Sequence, residues 1–223
     1  MKQSIAFDIY GTLIDPMALG QELETMLGTL AADFNNLWRQ KQLEYSFRKA
    51  AMGSFNHFSE CTSQALQYCD TYFNTQLEND QKSKLLGMYR ELPAFQEVRE
   101  CLTILKERKH EVIALSNGKK DDLISLFRHA GILGFFDHIL SADEVRTFKP
   151  SPAVYQLLAD RSSSPIESTW MVSSNSFDVI GAASFGLKTA WVQRGPNPVF
   201  DPFNIDYTVS VSSISALIEI FED

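Results

Sequence analysis

Short apolar runs separated by stretches of helical periodicity restrict the fold of this chain more than any other feature. Residues 4–8, 111–116, 138–141, 170–173 and 189–192 are strand-length and apolar at successive positions, and residues 207–209 form a candidate edge strand. A strand apolar on both sides must be covered on both faces. Between the runs lie amphipathic stretches at residues 95–108, 120–130, 152–161 and 177–185. Each is long enough to cross back and start another parallel strand. This alternation predicts an α/β fold, a Rossmann-like parallel sheet core with helices on both faces.

Residues 16–92 break the pattern. Leu23, Met26, Leu27 and Leu30 recur at helical spacing, followed by Phe34, Leu37 and Trp38, then by Ala65, Leu66, Cys69, Tyr72 and Phe73. No strand is evident among them. The expected organisation is a core of residues 1–15 and 93–223, with a helical cap of residues 16–92 inserted after strand 1. A cap in that place lies over the carboxyl ends of the strands, where open α/β sheets hold their ligands.

A formal net charge of -8 argues against a nucleic-acid-binding face. Cys61, Cys69 and Cys101 are odd in number, widely spaced and free of CxxC pairing, so they read as buried free thiols. His57, His110, His129 and His138 are scattered without metal-ligand spacing. No apolar stretch approaches the ~20 residues of a membrane span. A cytoplasmic protein acting on a small molecule is expected, with no nucleic acid or membrane as partner.

Four candidate strands end in polar residues. FDIYGTLID, residues 7–15, ends its strand at Asp8 and turns at Gly11-Thr12. A desolvated aspartate there reads equally as a nucleophile or as a turn cap. Ser116-Asn117-Gly118 follows the second run and by itself reads as a turn. Lys149 precedes a proline turn that opens a helix, with Tyr155 one turn on; alone it reads as a surface lysine. Ser173-Ser174-Asn175 leads to Asp178 on a first helical turn, the usual place of a cap. Caps alone are a poor account of all four, because parallel strands deliver all four to one edge.

With these motifs in their order, residues 4–195 resemble the haloacid dehalogenase superfamily. DIYGTLID, ALSNG (114–118), FKPSPAVY (148–155), SSNSFD (173–178) and WRQKQLEYSF (38–47) look most like the L-2-haloacid (type II) dehalogenases. Phosphatases of the superfamily resemble DxDGT, where the second acid protonates a leaving alcohol, and GDSxxD, whose acid binds magnesium. Here Tyr10 stands in place of the first of those acids, and Ser173-Ser174-Asn175 leads to Asp178 where the magnesium-binding acid is missing. A halide needs no proton to leave, and losing carboxylates weakens a magnesium site.

The resemblance implies hydrolytic dehalogenation of short-chain (S)-2-haloacids to (R)-2-hydroxyacids through an ester on Asp8, with no metal and no cofactor. Arg39, Asn117 and Phe177 are expected to cradle the halide, while Ser116 and backbone amides near Asp8 hold the substrate carboxylate. Lys149 neutralises and orients Asp8. Asp178, Ser173 and Asn175 position the water, and Thr12 and Tyr155 hold those groups in place. Tyr10, Gln40 and Leu43 line the pocket. A homodimer is expected, contacting through the apolar helix of residues 23–30. A phosphatase of the same superfamily, or a catalytically silent binding protein on this fold, remains the alternative.

Overall fold

The computed structural model describes residues 2–195 and 197–222. Six parallel strands form one sheet: β1 (Ser4–Phe7), β2 (Glu111–Ser116), β3 (His138–Ser141), β4 (Thr169–Ser173), β5 (Lys188–Val192) and β6 (Val209–Val211). Their order is β3-β2-β1-β4-β5-β6, so β1 lies at the centre between β2 and β4. Every residue of β1, β2 and β4 is buried. Alternation splits them between two cores. Ile5, Phe7, Val112 and Ala114 face one layer, whereas Ala6, Ile113, Leu115 and Met171 face the other. Helices α5 (Val98–Glu107) and α6 (Lys120–His129) contribute to the first layer, α7 (Pro152–Arg161) and α8 (Ser176–Phe185) to the second.

The register aligns the carboxyl ends. Phe7 pairs with Ala114 and Val172, and Ser116 pairs with Ser141. Asp8, the last residue of the expected strand, stands one residue beyond β1, yet its N–H still donates to Val172 O at 2.9 Å. Gly11 then takes a φ of 88°, which an L side chain resists, and the chain turns away. The edge strand pairs two residues later than expected, from Val209 against Ala190. Tyr207 instead packs its ring against Trp191 and Phe200, 5.5 and 5.0 Å away between centroids.

Residues 16–92 carry α1 (Gly20–Leu27), α2 (Ala31–Met52), α3 (Phe58–Phe73) and α4 (Asn79–Met88), with no strand among them. The two ends of this segment are clipped together. Asp15 N–H donates to Pro93 O, and Phe95 N–H donates to Leu13 O, both at 3.0 Å. Phe34, Trp38, Ala65, Leu66 and Cys69 are buried as their spacing implies, but Tyr72 is exposed and stacks on Tyr68. Leu23 is fully buried, with Met26 and Leu27 packed on the same core, so this apolar face is used inside the chain. The three cysteines are free and buried. No helix among the described residues is long and apolar enough to cross a membrane.

One close approach couples this packing to the polar edge. A Cβ on Gly181 would stand 2.5 Å from Tyr155 Oη and 2.6 Å from Pro150 Cβ. Only glycine lets α8 approach Tyr155 of α7 so closely. Alanine gains about 1 kcal/mol of intrinsic helix propensity over glycine, yet Gly181→Ala is expected to lose a net 1–3 kcal/mol, roughly the cost of overpacking. Urea denaturation of the two proteins measures it, and an equal or higher midpoint for the variant would contradict the packing.

Candidate active site

Asp8 is 7% exposed, and four donors converge on it unequally. Oδ2 accepts from Thr12 Oγ1 at 2.9 Å, Ser173 Oγ at 3.2 Å and Asn175 Nδ2 at 2.7 Å. Among the described residues Oδ1 accepts only from Lys149 Nζ, at 3.1 Å. The carboxylate thus has one saturated oxygen and one with lone-pair capacity to spare. Asn175 Nδ2 also donates to Tyr10 O at 3.2 Å, so the amide bridges Asp8 and the turn beyond it.

Lys149 is 1% exposed, contrary to the surface reading its residue type invites. Its ammonium fills all three donor positions: Asp8 Oδ1, Leu115 O at 2.7 Å and Asp178 Oδ2 at 2.8 Å. Burial pulls this amine down, but the charges of Asp178 and Asp8 outweigh that and leave it raised and protonated. Asp178 is fully buried at the start of α8. Its Oδ1 accepts from Tyr155 Oη at 2.8 Å. Burial pushes Asp178 up to about 6; Lys149 opposes the rise and Asp8 adds to it. Burial, then the neighbouring Asp178, pushes the Tyr155 phenol well above its ordinary value, so it remains a donor.

The loop after β2 supplies donors. Ser116 Oγ accepts from Gly118 N–H at 3.0 Å, which leaves its own O–H to donate. Asn117 Oδ1 accepts from Lys149 N–H at 2.8 Å, which leaves its Nδ2 hydrogens free. Neither Ile9 nor Tyr10 N–H reaches an acceptor among the described residues. These donors suit an anion lying against the first turn.

From the other side comes Arg39 of α2, whose Nη2 donates to Tyr10 O at 3.2 Å. The same carbonyl therefore joins Arg39 and Asn175. Burial lowers the guanidinium's pKa, against the opposing influence of Tyr89, Asp8 and Tyr10. Leu43 packs beside Phe58 and Phe148, and the Phe177 ring meets Phe47 of α2 at 5.0 Å, edge to face. Tyr10 is buried, its ring 6.2 Å from that of Phe58. Gln40 does not join this group: it is exposed on α2. Successive helical residues differ by about 100°, and inward Arg39 turns its neighbour outward.

Three supporting residues escaped the sequence reading. Gln42 accepts from Arg39 Nη1 at 2.6 Å and donates to Thr62 Oγ1 at 2.6 Å, anchoring the guanidinium to α3. Its i,i+3 spacing from Arg39 was an available signal. Ser174 donates its N–H to Thr12 Oγ1 at 2.9 Å and its Oγ to Gly11 O at 2.7 Å. Arg194 donates to Thr12 O at 2.7 Å, pairs with Glu97 and lies 3.7 Å over the Phe95 ring. Nothing local in the sequence links positions so far apart.

A carboxylate at the central strand's end, tied by lysine to a second buried acid, places the chain in a class of α/β hydrolases. A family model described as haloacid dehalogenase-like hydrolase matches residues 3–186, and the chain belongs to that family. The (S)-2-haloacid dehalogenase of Pseudomonas sp. (strain YL) is 34% identical over 99% of this chain and 94% of its own. The (S)-2-haloacid dehalogenase 2 of Pseudomonas sp. (strain CBS-3) is 36% identical over 87% of this chain and 85% of its own. The solved L-2-haloacid dehalogenase from Xanthobacter autotrophicus with chloropropionic acid covalently bound aligns with a TM-score of 0.92 and 27% identity, covering 99% of this chain and 98% of that one.

Removing the shared cation tests the electrostatics. Lys149→Met leaves two carboxylates facing each other in a buried site, so stability at pH 7 is expected to fall by about 3 kcal/mol. Asp178, already raised by burial, then binds its proton more tightly folded than unfolded. Acidification through its raised folded value returns part of the lost stability. Urea denaturation at pH 7 and pH 5 measures this, and a penalty no smaller at pH 5 would contradict it.

Proposed function

We propose that this protein hydrolyses short-chain (S)-2-haloacids to (R)-2-hydroxyacids and halide through an ester on Asp8, without a metal ion. The carrying observation is the unequal loading of the Asp8 carboxylate. Oδ1, bound only to Lys149, attacks C2 in line. The carbon–halogen bond breaks, the halide leaves with its electron pair, and C2 inverts. Oδ2 becomes the carbonyl oxygen of the ester. Water then adds at Cγ, and negative charge collects on Oδ2, where Thr12, Ser173 and Asn175 already donate. Asp178 takes a proton from the water, with Tyr155 holding its orientation, and returns it to the departing alkoxide. Asp8, now carrying one oxygen from water, gives up the water's second proton to solvent and is restored as the carboxylate, and C2 is untouched by this second step.

The remaining roles follow from placement. Ser116 O–H and the Ile9 and Tyr10 amides receive the substrate carboxylate. Arg39 and Asn117 Nδ2 meet the halide, with Phe177 closing that side. Tyr10 and Leu43 complete the pocket wall. Two carboxylates, one ammonium and one guanidinium sum to zero charge, so the site accepts an anion without a divalent ion. The Asn175 amide bridges Asp8 Oδ2 and Tyr10 O by hydrogen bonding, where a cation would bridge by coordination. Residues 16–92 act as a cap, hinged at the clip between residues 13–15 and 93–95, and closure excludes water until the ester exists. The homodimer contact lies on the exposed aromatic side of α3, at Tyr68 and Tyr72, rather than on α1. Free buried thiols suit a reducing cytoplasm.

Asp8→Asn is expected to lower chloride release from 2-chloropropanoate by about 10³-fold or more. Undiminished release would remove Asp8 from the reaction. Phosphomonoester hydrolysis without dehalogenation would instead select phosphatase chemistry. In labelled water with enzyme in excess, one turnover places oxygen-18 in Asp8; label confined to the product hydroxyl would mean direct attack by water.

The raised pKa of Asp178, about 6, gives a pH test. Its ionised form is the proton acceptor. Esterification removes the Asp8 charge, one cause of the rise, so in the intermediate the value lies below that of the free site while burial still holds it up. Ester decay therefore slows as pH falls below 6, and intact-mass measurement after rapid quenching should find the ester longer-lived at pH 4 than at pH 8. Equal decay at both would exclude Asp178 as the base.

A further inference from the structure

The carbonyl of Thr12 is held by a residue that follows β5. Thr12 is fully buried, and its hydroxyl is one of three donors on Asp8 Oδ2. The turn around it closes on Ile9 O, which accepts from Thr12, Leu13 and Ile14 N–H at 3.2, 2.9 and 2.9 Å. Thr12 O takes no part in that hub. Among the described residues no backbone N–H reaches it, and Arg194 Nη2 donates to it at 2.7 Å.

Arg194 stands where three segments meet. Its Nη1 lies 2.7 Å from Glu97 Oε1, a charge contact without hydrogen-bond alignment. The guanidinium covers the Phe95 ring at 3.7 Å, and Phe95 N–H in turn donates to Leu13 O. One side chain therefore ties the end of β5, the returning linker of residues 93–97 and the turn that carries Thr12. Its buried Nε meets no acceptor among the described residues. Leaving a buried donor unpaired is costly. The orientation thus serves Thr12 O and the Phe95 ring rather than the arginine's own hydrogen bonding.

We propose that Arg194 is a positioning residue for ester hydrolysis: by holding Thr12 O, it keeps Thr12 Oγ1 aimed at Asp8 Oδ2. The inference rests on the dehalogenase reading and goes beyond it by separating the two chemical steps. In the first, charge flows from the carboxylate into the new Oδ1–C2 bond and leaves with the halide. Oδ2 loses negative charge, so a donor there gives no assistance. In the second, water oxygen bonds to Cγ, the carbonyl electron pair moves onto Oδ2, and one water proton passes to Asp178. Oδ2 gains negative charge, and each donor on it lowers the barrier. The carbonyl then re-forms, the Cγ–Oδ1 bond breaks, and the alkoxide takes that proton from Asp178. Loosening Thr12 must therefore slow the second step and spare the first.

Rapid-quench intact-mass measurement at pH 8, with enzyme in excess over 2-chloropropanoate, follows the rise and decay of the ester separately. In Arg194→Met, decay is expected to slow about tenfold while formation keeps its rate or gains. That is short of the roughly hundredfold or more lost with a whole oxyanion donor, because Thr12 is loosened rather than removed. Unchanged decay overturns the proposal. So does equal slowing of both steps, which is what a merely disturbed site gives. Thr12→Val tests the route: in that background Arg194→Met is expected to add nothing to the loss, and a further tenfold slowing of decay overturns the proposal. Should Arg194→Met fail to fold, Arg194→Lys makes the same measurement. Its ammonium lacks the planar fork that reaches Thr12 O from over the Phe95 ring. Decay is then expected to slow in the same sense by a smaller factor, and unslowed decay overturns the proposal. A wild-type protein that forms no ester and releases no chloride defeats the dehalogenase reading itself, a result distinct from an unmoved decay.

Discussion

The ammonium of Lys149, held between Asp8 and Asp178, is the contact on which the rest of the site depends. Two buried carboxylates this close to one another repel, and each loses hydration on burial. One fully buried cation with all three hydrogens directed at oxygens offsets both costs. The arrangement leaves the triad with a net charge of -1. That residual charge, together with complete burial, is why Asp178 holds its proton more tightly than an ordinary aspartate. In the proposed reaction the same cation readies one acid for attack and leaves the other suited to accept a proton.

This triad can form because the sheet is parallel and its central strand is β1. Asp8, Ser116 and Ser173 then emerge at one edge at nearly the same height. The helix layer beneath completes it. Tyr155 reaches Asp178 only because Gly181 leaves room for α7 and α8 to meet. A packing detail some distance from Asp8 therefore sets the orientation of Asp178. On the opposite side, Arg39 reaches Tyr10 O from an inserted segment and is held by Gln42 and Thr62. An arginine pre-positioned in this way loses less side-chain entropy when an anion arrives.

Replacing the second acid of the turn by Tyr10 is consistent with the same economy of charge. A third carboxylate near Asp8 and Asp178 would need a further cation. The tyrosine adds none, packs its ring in the pocket wall and offers its carbonyl to Arg39 and Asn175. Its loss of acid chemistry is harmless where the leaving group departs as a stable anion.

The periodic pattern of the chain was enough to identify five strands, the four crossover helices and the helical insertion, because burial on both faces leaves a continuous apolar signature. The polar strand ends likewise marked Asp8, Ser116, Lys149 and Asp178 as neighbours. The edge strand was misplaced by two residues because aromatic packing at Tyr207 competed with pairing, which periodicity does not register. Gln40 was misread because residue type says nothing of rotational phase on a helix, whereas Gln42, one residue before Leu43, faces inward. Ser174 and Arg194 took their meaning from contacts with Gly11 and Thr12, more than 160 positions away. By itself the sequence determined which elements form and which residue types reach the sheet's edge, since both follow from local spacing. Which oxygen of Asp8 is saturated, how deeply Lys149 is buried and what stands behind Arg39 were decided by tertiary structure alone, because those properties belong to distances between segments remote along the chain.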